Sequence, residues 1–227
     1  SLEIEFYPVF GGDYRGIAVE HLLNSVVEYL PSPLESMPAQ GIDLKTDEGI
    51  ECRPDENEPF AALAFKVVTD PYVGRLVYFR VYSGKVSAGS YIYNATKKGK
   101  ERLGRIVLMH ANDREDIEEV KAGEIAAAVG LKDTSTGDTI CGEETPLLLE
   151  NITFADPVIS MAIEPKTKSD QEKMGEALKK LSDEDPTFKI SSDTETGQTI
   201  ISGVGEFQLE IKVDLLKRDH NVEVNVG

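Results

Sequence analysis

The chain has 227 residues, of which 40% are hydrophobic and 29% charged, and a formal net charge of −17. That is the composition of an ordinary globular protein, long enough for one large domain or two small ones. No apolar run approaches the roughly 18 residues that a membrane span needs, and no basic-then-apolar leader opens the chain. Two cysteines, Cys52 and Cys141, and three scattered histidines, His21, His110 and His220, are too few and too far apart for a disulfide framework or a metal site. They suit a reducing compartment, the cytoplasm.

Residues 3–10 (EIEFYPVF) alternate as a strand does. Val19, Leu22, Leu23, Val26, Val27 and Leu30 recur at helical spacing and predict an amphipathic helix that Pro31 and Pro33 terminate. One strand and one helix cannot bury their own apolar faces. Residues 1–38 therefore read as the last β-α element of a parallel sheet, a sign of truncation. Residues 39–58 are rich in acids and poor in large apolar side chains, and Pro38, Pro54 and Pro59 punctuate them; they read as a linker. From 59 to 150 the texture is short strands (FAALAFKVVT, YVGRLVYFRVYS, SYIYNA, RLGRIVLMHA, EIAAAVGL). Turns are marked at Asp70-Pro71, Ser83-Gly84, Ala88-Gly89, Lys98-Gly99 and Ala122-Gly123, which predicts a small closed β-barrel.

Residues 151–227 are mixed. PVISMAIEP reads as a strand, followed by a helix with a capping box from Ser169 to Glu172 and an apolar stripe of Met174, Ala177, Leu178 and Leu181. FKISSD and QTIISG form a hairpin through residues 194–197. Residues 205–221 alternate like a strand, but Glu206 at the start and Lys217, Arg218 and His220 at the end complement a helix dipole. The expectation is a helix buried on both sides, as at a domain interface. VEVNV is a last strand, and the order β-α-β-β-α-β is the ferredoxin-like motif. The fold class is thus multidomain β and α+β: an orphan β-α element, a barrel and a ferredoxin-like domain.

Net acidity argues against nucleic acid at long range, yet the charge is uneven. Residues 75–105 hold eight cations, including Arg75, Arg80, Lys97, Lys98, Lys100, Arg102 and Arg105, and one acid, Glu101. A segment of +7 stands in a remainder of −24. With screening over about 8 Å, such a patch can still bind phosphate; the plain alternative is a solvated basic strand face. No G-x-x-x-x-G-K-[ST] phosphate loop and no N-K-x-D motif occurs. Gly11-Gly12 reads as a tight turn rather than a phosphate cradle. The acidic run 113–119 has no nucleophile or histidine beside it in sequence and reads as a solvated face. No catalytic residue and no metal ligand is indicated.

Several long stretches carry a resemblance: LLNSVVEYLPSPLE, PFAALAFKVVTDPYVGRLVYFRVYSG, GRIVLMHANDREDIEEVKAGEIAAAVGLKDTSTGDTI, EPKTKSDQEKMGEALKKLSDEDPTF and TGQTIISGVGE. The chain resembles bacterial translation elongation factor G across nearly its whole length. The resemblance implies the tail of a GTP-binding domain (1–38), a linker (39–58), a second, barrel domain (59–150) and a third, ferredoxin-like domain (151–227). It implies no cofactor in this fragment, with GTP and Mg²⁺ held by the parent, a ribosome-dependent GTPase driving tRNA–mRNA translocation. The implied partners are small-subunit rRNA, a small-subunit protein, and the parent's own GTP-binding and C-terminal domains. The seven cations named above become candidates for the rRNA contact. Gly203, Gly205, Glu206, Gln208 and Leu215 become candidates for a relay to the GTP-binding domain, near which fusidic acid lodges in that family. Three departures stand out. Gly11-Gly12-Asp13 replaces a usual guanine-contact turn, Gln208 replaces a usual histidine, and Leu215 a usual arginine. They leave room for a paralogous ribosomal GTPase acting in recycling, ribosome protection or back-translocation. A free-standing RNA-binding module is the alternative from another class.

Overall fold

A computed structural model of the chain describes residues 9, 11–13, 15–70, 72–110, 113–150, 152–194 and 196–227, without the side chain of Ser169. The strand expected over residues 3–10 lies outside the described residues apart from Val9. The chain divides into two compact units, Ser1–Met37 and Pro38–Gly227. In the first, helix α1 (Val19–Tyr29) buries none of its residues. Its stripe of Leu22, Leu23, Val26 and Val27 faces solvent, as an amphipathic helix without a covering layer must.

The second unit opens with strands β1 (Ala39–Asp43) and β2 (Gly49–Cys52). Both fall where a linker was expected. Then follow β3 (Ala61–Asp70), β4 (Gly74–Ser83), β5 (Lys85–Ser87), β6 (Tyr91–Asn94) and β7 (Gly99–Arg102). After these come β8 (Arg105–His110), β9 (Asp113–Ile117), β10 (Glu119–Lys121), β11 (Ile125–Val129), β12 (Thr139–Cys141) and β13 (Leu147–Leu149). Eight strands form one antiparallel sheet in the order β7-β6-β12-β3-β4-β11-β8-β9. Its inner face is a single apolar cluster. Alternate residues of β3 (Ala62, Ala64) and β4 (Val77, Phe79, Val81) meet Ile92, Ile106, Ala128 and Ile140 from four other strands. The ribbon of β5 and β10 closes on the same cluster through Val86 and Val120. Fully burying each large side chain contributes about 1.5–3 kcal/mol, so a curled sheet is the stable solution for these short strands.

Strands β1 and β2 join β13 in a small sheet, order β13-β1-β2. It covers the outer face of the barrel, where Cys52, Leu147 and Leu149 pack on Ala61, Leu63 and Cys141. That cover explains why the first four residues of β3 are all buried rather than alternating. The β4-to-β5 corner needs glycine: Gly84 has φ 67°, and a Cβ there would lie 2.5 Å from the Glu58 carbonyl oxygen and 2.6 Å from the Phe60 nitrogen.

The remaining elements are β14 (Ile159–Pro165), α2 (Lys168–Glu184), β15 (Lys189–Ser192), β16 (Thr199–Gly203), α3 (Glu206–His220) and β17 (Val224–Val226). Their sheet order β15-β16-β14-β17, antiparallel throughout, is the ferredoxin-like arrangement. The stripe Met174, Ala177, Leu178 and Leu181 is buried against Ile163, Phe188, Ile201 and Leu209. The α2 cap corrects one expectation. Thr167, not Ser169, is extended and accepts the Asp170 N–H, while its hydroxyl donates to the Asp170 carboxylate. The cap thus lies two residues earlier than expected, at Thr167, and contributes about 1 kcal/mol. Residues 206–220 are helical, but the expected burial on both faces does not occur. Leu209 and Leu216 are buried while Phe207 and Ile211 are exposed.

Candidate nucleic-acid interface and relay cluster

The barrel presents the seven candidate cations in very different settings. Arg75, at the start of β4, is turned inward. Its Nη1 donates to the carbonyls of Leu131 (3.0 Å) and Lys132 (2.8 Å). Arg80 stacks its guanidinium 5.3 Å from the Tyr82 ring centroid, with Nε buried and lacking a hydrogen-bond partner. Lys97 donates to the Asp133 carbonyl and to Ser135 Oγ (2.6 Å), and lies 3.3 Å from Asp138. The buried Asp138 also accepts from Asn94 and the Ser135 N–H, so Lys97 closes a polar cluster at one end of the barrel.

The other four are more open. Lys100 reaches Glu143 at 2.5 Å and the Tyr91 ring at 5.2 Å; the hydrogen bond to Glu143 raises the pKa of its ammonium. Arg105 forks onto Asp116 at 2.9 and 2.8 Å, which lowers the pKa of that carboxyl. Arg102 makes one long bond, 3.4 Å, to the Gly89 carbonyl. Lys98, held at φ 56° in the β6–β7 turn, is exposed and has no side-chain partner among the described residues. The barrel thus brings Lys97, Lys98, Lys100 and Arg102 together on the β6–β7 hairpin, and leaves Arg75 and Arg80 on β4. Acids from other strands and turns neutralise much of the +7 segment.

The relay candidates converge on the turn from β16 into α3. Gly203 allows a close approach: a Cβ there would meet Gln208 Oε1 at 2.3 Å and a Leu209 methyl at 2.9 Å. Gly205 is the α3 N-cap and Glu206 sits in the first turn. The Gln208 amide was expected to serve a neighbouring domain, but it is saturated inside its own. Its oxygen accepts the Val204 N–H (2.7 Å), and its nitrogen donates to Asp185 (2.9 Å) and Thr187 (2.8 Å). Leu215 packs, half-buried, on the apolar cluster instead of offering free apolar surface.

Asp185, Thr187 and Lys212 complete this cluster. Lys212 lies 3.0 Å from Asp185 and 5.4 Å from the Phe188 ring centroid. Burial alone would raise the Asp185 carboxyl, but hydrogen bonds from Thr187, Lys212 and Gln208 overcome that and hold it at about 2. These three residues escaped the sequence reading. The available signal was the run Asp183-Glu184-Asp185 at a helix C-terminus, the wrong end of the dipole for acids.

The glycine turn near the start does not fit a phosphate. Asp13 N–H donates to the Ile17 carbonyl and Gly16 N–H to the Asp13 carbonyl, so the loop closes on itself. Asp13 Oδ1 takes the Arg15 N–H, which leaves a carboxylate where a nucleotide phosphate would need donors. Among the described residues no three His, Cys, Asp or Glu side chains gather as metal ligands would.

Two family matches and one solved structure bear on this arrangement. Residues 74–141 match the family described as elongation factor Tu domain 2, and residues 154–227 match elongation factor G, domain III. A crystal structure of a protein from Thermus thermophilus superposes with a TM-score of 0.70 at 30% identity, covering 94% of this chain and 29% of that one. The chain therefore spans less than a third of that protein. With a barrel of the one type followed by a ferredoxin-like domain of the other, the chain resembles a fragment of a translation elongation factor G.

Proposed function

We propose that the chain supplies the ribosome-contacting and relay parts of a translational GTPase that promotes tRNA–mRNA translocation in the cytoplasm. GTP and Mg²⁺ belong to a part of the parent outside the domains described above. The observation that carries this reading is the pairing, in chain order, of the two elongation-factor domain types. The hairpin cations Lys98, Lys100 and Arg102 are the surface best placed for small-subunit rRNA, with Arg105 on β8 as a further contact. The free-standing RNA-binding module is disfavoured by the open face of the ferredoxin-like sheet. That face pairs Ser160 with Ser202, Ala162 with Ile200 and Glu164 with Asn225, and its four strands contain no aromatic ring on which a base could stack.

Co-sedimentation of the chain with small ribosomal subunits across a salt series tests the reading. Lys98→Glu/Arg102→Glu should weaken binding most at low salt and flatten the log–log slope by about two, one for each lost phosphate contact. Calorimetry should find no GTP or GDP affinity tighter than about 1 mM. Ribosome binding that the double variant leaves unchanged, or tight nucleotide binding, would overturn it.

A further inference from the structure

Helix α2 ends against its own dipole. Its last turn contains Asp183 and Glu184 with no base, and Asp185 caps it. Acids at a helix C-terminus face the partial negative charge of the unpaired carbonyls and disfavour the helix that carries them. Each of the three has a partner from outside α2. Asp185 is held within its own domain by Lys212 and Gln208. The other two reach the barrel. Glu184 Oε1 accepts the Thr69 N–H at 2.6 Å, and Asp183 Oδ2 lies 3.8 Å from Arg75 Nε.

Thr69 and Arg75 face each other across the β3–β4 hairpin, so each strand offers one donor to the helix end. The hairpin tip is itself braced: Asp70 accepts the N–H groups of Tyr72 and Val73 and pairs with Arg114 of β9. Among the described residues no apolar cluster spans the two domains. Barrel clusters run from Cys52 to Leu149, and that of the α/β domain from Ile163 to Val222. The hairpin-to-helix junction is therefore polar and partly wet, with side-chain exposures of 19% for Arg75 and 33% for Asp183. One of its contacts is incomplete, since Arg75 Nε is buried and has no hydrogen-bond partner. A domain junction without a shared apolar core moves by default.

We propose that Asp183 and Glu184 form a separable electrostatic latch that sets the orientation of the ferredoxin-like domain on the barrel. Closed, the latch fixes the two domains through Thr69 and Arg75. Open, it frees the ferredoxin-like domain to swing while both folds persist. Salt and any competing anion at Arg75 favour opening.

The test is a pair of spin labels at Glu118→Cys on the barrel and Glu176→Cys on α2, with the native Cys52 and Cys141 protected by burial. In the otherwise unchanged chain the interdomain distance distribution should be narrow and should broaden with salt. Asp183→Asn/Glu184→Gln should broaden it at low salt and remove the salt response. Glu172→Gln/Glu210→Gln, an equal loss of charge elsewhere in the domain, should leave it narrow. The unfolding midpoint of the ferredoxin-like domain should hold or rise in the latch variant, because two charges leave the negative end of a helix. A distribution that the latch variant leaves unchanged overturns the proposal. So does a fall in that midpoint, which would make both acids ordinary supports of their own domain.

Discussion

The basic face of the barrel and the Asp185 cluster of the ferredoxin-like domain handle charge in opposite ways. On the barrel, Lys100 pairs with Glu143 and Arg105 with Asp116 while all four side chains remain about half exposed, at 47 to 62%. In the other domain, Lys212 and Asp185 are 11 and 26% exposed, and Gln208 and Thr187 add donors to the same carboxylate. Exposed pairs gain little from their partners because water and salt screen both ions. A half-buried pair with its hydrogen bonds complete is held by the cost of stranding either member. The difference teaches which charges are exchangeable. The exposed pairs of Lys100 and Arg105 can trade a carboxylate for a phosphate at small cost, while the Asp185 cluster can only be broken.

Breaking it should produce the largest effect. Asp185→Ala strands the Lys212 ammonium and a Gln208 N–H, and should destabilise the ferredoxin-like domain by about 2–4 kcal/mol in urea unfolding. Gln208→His removes an amide that makes three hydrogen bonds, and should cost about 1–2 kcal/mol. A loss below 0.5 kcal/mol for Asp185→Ala, roughly the noise of surface substitutions, would erase the distinction between the two regions.

The same cluster predicts a pH dependence with a definite sign. The Asp185 carboxyl is held at about 2 in the fold, against an ordinary value of 3.8. The unfolded chain therefore takes up the proton first as pH falls. The stabilisation is complete above the unfolded value and is lost between about pH 5 and pH 2, amounting to about 2 kcal/mol. Urea titrations at pH 5 and near pH 2 should show this loss, and Asp185→Asn should remove that component. An equal acid sensitivity in both proteins would assign it to other carboxylates.

Much of the architecture was legible in the sequence, and the misses share a cause. The stripe on α2 and the strand texture of the barrel follow from local periodicity; residues 205–221 alternate like a strand, and their helix was legible only in the charges at its two ends. Strands β1 and β2 were hidden because AQGID and GIEC are short and contain few large apolar residues; they are strands because they pair with each other and β13, about a hundred residues on, pairs with β1. The basic segment was visible, but its neutralisation was not. Glu143 lies 43 residues from Lys100 and Asp116 lies 11 from Arg105, and only the folded sheet brings them together. Gln208 was read as facing outward because its neighbours in sequence did not reveal Asp185 and Thr187, 23 and 21 residues before it.

The smallest stability effect sharpens the comparison most, because it separates stability from binding. Glu143→Gln/Asp116→Asn removes the acids from both exposed barrel pairs and keeps the side-chain shapes. Both carboxylates sit in water, so the barrel's unfolding midpoint should not move measurably. Binding should move. Each acid neutralises a cation that phosphate would otherwise meet, so freeing Lys100 and Arg105 should tighten association with small ribosomal subunits at low salt. It should also steepen the log–log salt slope by up to about two. The direction is opposite to that expected for Lys98→Glu/Arg102→Glu, so a general change in the barrel cannot mimic both. Unchanged affinity together with an unchanged midpoint would show that Lys100 and Arg105 never meet phosphate, leaving Lys98 and Arg102 as the contact. A lowered midpoint would show instead that the barrel pairs are structural, as the Asp185 cluster is, and that neither domain holds its charges for exchange.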